Sequence, residues 1–147
     1  MGSATDVLKS IVKIWHMCTI QEALFKRVMG LEGPISLRKS FCTGYLVSII
    51  FRSDLGSAYD DLKSPFNSSE LLLKDRNEDP FPLQGNLRQK WVACEQMVRI
   101  QRQCQDLLKN THLREPERVM IGNFLLISQG LNRQMEKYLK KAKSFNI

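Results

Sequence analysis

Apolar residues recur three and four positions apart along almost the whole chain, and nowhere do apolar and polar residues alternate long enough to build a half-buried strand. That periodicity leaves only helices that each hide one face, so the expected fold is all-α: a single-domain bundle of about four to six helices. At 147 residues the chain can bury one real core and is too short for two. The longest apolar run, Tyr45 to Phe51, is interrupted by Ser48 and closed by Arg52, far short of the ~20 residues of a membrane-spanning helix. No membrane span is expected.

The pattern divides as follows. A first helix starts near Thr5-Asp6, carries Leu8, Ile11, Val12 and Trp15 on one face, and either restarts at the capping box Thr19-Ile20-Gln21-Glu22 or continues to Met29. Gly30, Gly33 and Pro34 end it. From Ser36 a strongly apolar helix runs through Leu37, Phe41, Cys42, Tyr45, Leu46, Ile49 and Ile50, the expected central element, and Asp54 to Lys63 either extends it or forms a short helix. Residues 63–85, with Pro65, Asn67-Ser68-Ser69, Asp79-Pro80-Phe81-Pro82 and Gly85, read as one long irregular connection. Asn86 is a plausible cap for a helix to about Asn110 with Leu87, Trp91, Cys94, Met97, Val98, Cys104, Leu107 and Leu108 on its buried side, a stripe that Gln101 and Gln105 interrupt. Leu113 to Pro116 is a short connector, and short connectors join antiparallel neighbours, so the chain closes with a helical hairpin. The seam of the last helix, about Pro116 to Lys143, is Ile121, Phe124, Ser128, Leu131, Met135, Tyr138 and Ala142, with Gly122 and Gly130 as points where a neighbouring helix can approach closely.

Charge is unevenly placed. Up to Gly85 ten Lys and Arg face ten Asp and Glu, whereas from Asn86 onward there are twelve against five, so the whole +7 lies in the C-terminal part. Arg133, Lys137, Lys140 and Lys141 recur at helical spacing opposite Leu131, Met135 and Tyr138, with Lys143 added at the end, a stripe suited to phosphate or to an acidic protein surface. The same cations also solvate a helix face and complement its C-terminal carbonyls.

Catalytic patterns are missing. The chain holds no phosphate-cradling Gly-rich loop, no nucleophile elbow and no His-Glu-x-x-His, and its two histidines, His16 and His112, leave little for acid-base work. His16 and Cys18, two apart on a helix, point to nearly opposite sides. The carboxylate pairs Asp60-Asp61 and Glu78-Asp79 sit in polar stretches where nothing would separate their pKa values. Neither an enzyme nor a cofactor or metal site is therefore expected. Cys18, Cys42, Cys94 and Cys104 lack Cys-x-x-Cys spacing and read as reduced thiols serving as small core residues, which favours an intracellular setting, cytoplasmic or nuclear. The N-terminus carries no secretory leader, and Met1-Gly2-Ser3 is compatible with a cloning scar.

These readings converge on a non-enzymatic helical protein-protein interaction module, an adaptor or scaffold whose partner binds a helical groove together with the 63–85 segment, where Phe66, Leu71, Phe81 and Leu83 are the candidate contacts. A second class is nucleic-acid association through the basic hairpin, a phosphate contact without base stacking because no aromatic interleaves the cations. A third is a secreted helical cytokine, with two disulfides and carbohydrate at the sequon Asn67-Ser68-Ser69. Such bundles need two long crossovers, and the pattern supplies one.

Overall fold

Ser3 begins the first helix by accepting from the Asp6 amide at 3.1 Å, while the Asp6 carboxylate accepts from the Ser3 amide at 3.0 Å. This reciprocal box satisfies two amides that would otherwise lack partners and starts the helix just ahead of the expected Thr5-Asp6 cap. The computed structural model describes residues 3–63 and 85–145, the last without the side chains of 142–145. Among them the chain forms four helices and no strand: α1 (Ala4–Val28), α2 (Ile35–Lys63), α3 (Asn86–Leu108) and α4 (Glu115–Phe145). The bundle is thus all-helical, as the periodicity requires.

Thr19 to Glu22 does not restart α1. Thr19 Oγ1 instead donates back to the Trp15 carbonyl and accepts from Arg52 on α2, whose guanidinium also grips the Glu22 carboxylate with Nε 2.5 Å from Oε2. The would-be capping pair is consumed by a contact between helices. Asp54 to Lys63 likewise extends α2 rather than forming a separate helix. Asn86 is the first residue of α3 and not its cap; Gly85, at φ 90°, occupies the cap position in a conformation that favours glycine.

Gln21 donates to the Ala93 carbonyl and Gln96 to the Met17 carbonyl, so α1 and α3 run antiparallel. On α2 and α4, Ser36 to Thr43 border Leu131 to Tyr138, whereas Phe51 stacks on Phe124. That pair is antiparallel as well, and the links 29–34 and 109–114 make hairpins of α1–α2 and α3–α4. Each helix therefore packs on two antiparallel neighbours, α1 and α4 on α2 and α3. Chain order is up, down, down, up, which differs from the up-up-down-down order of two-crossover bundles. Lys90 donates to the Glu32 carbonyl at 2.7 Å, which sets the start of α3 beside the start of α2. Lys63 and Gly85 consequently lie at opposite ends of the bundle. The expected irregular connection between them falls outside the described residues.

One core runs through all four helices, its largest fully buried side chains including Phe25, Phe41, Leu24, Met97, Ile121 and Met135. The α4 seam is buried as expected from Ile121 through Met135, with Tyr138 half-buried. Several other expectations fail. The buried stripe of α2 is Leu37, Ser40, Phe41, Gly44, Ser48, Phe51, Leu55 and Tyr59, so Leu46 and Ile50 stay 57% and 61% exposed, and Cys42 is exposed too. Burial here follows the geometry of two flanking helices and not side-chain hydrophobicity. Trp91 and Val98 are half-buried at the edge of α3, while Gln101 lies inside, donating to Ser128 Oγ at 3.2 Å across the α3–α4 contact. Gly122 and Gly130 are not close approaches, because a Cβ at either would meet no atom nearer than 4.0 Å. The close approach is Gly44, where a Cβ would come within 2.7 Å of the Phe25 ring.

Candidate functional site

The residues that α2 and α4 leave outside the core are unusually apolar. Ile50, Val119 and Ile127 are 61%, 52% and 55% exposed, and all three line a groove between the two helices. Its floor is the Phe51–Phe124 stack, with centroids 3.8 Å apart and planes 7° from parallel, and its walls include Val47 and Met120. The cavity measures about 380 Å³ and its lining is mainly apolar. Among the described lining residues Asp54 and Asn123 are the only strongly polar ones. Leu46 and Leu126, at 57% and 71% exposed, stand one helical position outside it and widen the apolar face.

Towards the C-terminal half of α4 the α2–α4 side has a different character. Ser36, Lys39, Ser40 and Thr43 of α2 face Leu131, Gln134 and Tyr138 of α4 around a second depression of about 220 Å³. Arg133, Lys137, Lys140 and Lys141 are all exposed here, on the face of α4 that also carries Val119 and Leu126. The basic stripe thus extends the exposed face of α4 that carries Val119 and Leu126, and none of its four cations lines either depression. Arg133, Lys137 and Lys39 have no carboxylate partner among the described residues. Lys143 falls within α4, but its side chain is not described.

Phe66, Leu71, Phe81 and Leu83 lie outside the described residues. The groove itself was missed by reading the α2 pattern as one apolar stripe, which placed Ile50 in the core. A usable signal was present: Val119, Leu126 and Ile127 are surplus to the α4 seam and therefore have no buried face to occupy.

Other polar clusters are spent on structure. Lys90, whose amine is held below its ordinary pKa by burial and by Arg38, closes the α1–α2 turn onto α3. Arg118 donates to the carbonyls of Leu108, Asn110 and Leu113 and so ties the end of α3 to the start of α4. Arg114 reaches the buried Glu117 at 2.6 Å. Burial pushes the Cys18 thiol well up, and those of Cys94 and Cys104 to about 12, so all three are held as neutral thiols. The four cysteines are free. Among the described residues no three His, Cys, Asp or Glu side chains cluster as a metal site would need, and no helix is long and apolar enough to cross a membrane. No protein-family model, curated protein or solved structure matches the chain.

Proposed function

We propose that the protein is a non-enzymatic helical interaction module, an adaptor or scaffold that takes up a segment of another protein in the groove between α2 and α4. The observation that carries this reading is the exposure of Ile50, Val119, Leu126 and Ile127 around a concave apolar floor. Contiguous apolar surface of this kind is costly to leave in water and is characteristic of binding sites. Helix-in-groove recognition fits the shape, since two parallel ridges with a furrow between them accept a third helix. Burial of Cys18, Cys94 and Cys104 as neutral thiols supports a reducing intracellular setting, where such side chains persist as small apolar residues.

The test is affinity capture from a native extract with the wild-type chain and with Ile50→Asp, a change at an exposed position that leaves the core intact. Proteins retained by the wild type and lost by the variant are expected. Equal capture by both, or none by either, overturns the reading.

A second reading, nucleic-acid association, is favoured by the row of Arg133, Lys137, Lys140 and Lys141 on one exposed helix face. Binding of this type neutralises phosphates and falls steeply with salt. A titration at several salt concentrations in which no binding appears even at low salt removes it.

A further inference from the structure

Resting on the groove reading above, we infer the chemistry of its occupant: an amphipathic helix of about 18 residues, apolar along one half of its contact face and acidic along the other. Three observations carry this. The α2–α4 side carries two depressions, one lined by Val119 and Ile127 and the other, towards the C-terminal half of α4, lined by Lys39 and Tyr138. From Val119 to Lys137 the rise of α4 spans about 27 Å, or five turns, and a partner helix lying along it needs about 18 residues to match. Charge then orients it. Arg133 and Lys137 are exposed, lack carboxylate partners among the described residues, and follow the apolar half along the same face of α4.

Alternative occupants fit less well. A second copy of this chain carries its own net charge of +7, so pairing two such faces sets one excess of positive charge against another. An anionic membrane would meet the protruding Leu46 and Leu126 but leave the recessed floor on the stacked Phe51 and Phe124 rings unfilled. Nucleic acid would engage the cations and leave the apolar half of the furrow unused. An acidic-ended amphipathic helix occupies both halves, with its carboxylates near the cations at the rim and its apolar side chains covering Ile50 and Ile127.

The experiment is selection of a display library of randomised 18-residue helical peptides against the full chain at low salt, with counter-selection on Ile50→Asp. Thermal melts confirm that each variant is folded. Enriched peptides are expected to carry apolar residues three and four apart in one half and Asp or Glu clustered in the other. The paired reversal Arg133→Glu with Lys137→Glu is expected to weaken their binding about tenfold, and raised salt to weaken it in the same direction. Enriched peptides without acidic bias, or with affinity unmoved by the paired reversal, overturn the inference and leave the groove reading standing. If no peptide prefers the wild type to Ile50→Asp, both fall. A dimer in sedimentation equilibrium that Ile50→Asp dissociates, or binding to vesicles of anionic phospholipid that Ile50→Asp abolishes, also overturns it in favour of those occupants.

Discussion

Gly44 is the residue on which the α1–α2 contact depends. A Cβ there would stand 2.7 Å from Phe25 Cζ and 2.8 Å from Cε2, and Phe25 is fully buried, so the ring has nowhere to retreat. Gly44→Ala is expected to cost about 1–3 kcal/mol in urea unfolding despite its better helix propensity, because overpacking outweighs the ~1 kcal/mol gained by removing a helical glycine. Gly122→Ala, with open space around it, is expected to stabilise by up to about 1 kcal/mol in the same measurement. The cysteines differ as sharply by position. Exposed Cys42 should react rapidly with an aromatic disulfide reagent while Cys18, Cys94 and Cys104 stay protected until the chain unfolds. Buried thiols held up to about 12 make the fold alkali-sensitive. Between the ordinary thiol value of 9.0 and about 12 the unfolded chain has released protons that the folded chain retains, so stability falls as pH rises through that window. Cys94→Ala should show a shallower fall than the wild type.

At the scale of the elements, helix ends and helix contacts are closed by side chains from neighbouring elements. Arg118 supplies three hydrogen bonds, two of them 2.7 Å, to carbonyls at the end of α3 and in the turn that follows. Arg118→Met keeps much of the aliphatic packing but strands those carbonyls, and a loss of about 1–3 kcal/mol is expected from denaturant titration. The Gln101–Ser128 pair tests the same logic inside the bundle. Gln101→Leu alone leaves the Ser128 hydroxyl bonded only to its own helix at Leu125, whereas Gln101→Leu with Ser128→Ala removes both polar groups. The double variant is expected to be more stable than the sum of the single changes implies, a coupling read from a double-mutant cycle.

At the scale of the molecule, every packed pair of helices contributes to one core, and no helix pair has a core of its own. Unfolding should therefore be a single transition. Trp15 on α1 and Trp91 on α3 offer two local probes, so Trp15→Phe and Trp91→Phe variants, each read through the remaining indole, should give midpoints that coincide with the loss of helical circular dichroism. Separate midpoints would mean that the α1–α2 and α3–α4 hairpins melt independently.

The three-and-four spacing of apolar residues determined the helical class and most of the α4 seam, because those features depend only on which side chains a helix brings to one face, and the short Leu113–Pro116 connector determined the C-terminal hairpin. It also exposed the charge asymmetry and the stripe of Arg133, Lys137, Lys140 and Lys141, since spacing alone places cations on a common side. Other features needed the third dimension. Whether Thr19 and Glu22 cap a helix or clasp Arg52 depends on a residue 30 or more positions away that only packing brings near. Gly44 and Gly122 look alike in the sequence, and only the Phe25 ring distinguishes them. Ile50 reads as core on α2, yet it faces outward, because the side of a helix that is buried is set by where its neighbours lie. The groove arises between α2 and α4, elements separated in the chain and joined by antiparallel packing, so the surplus Val119, Leu126 and Ile127 could signal an exposed apolar face of α4 but not the helix that completes the groove.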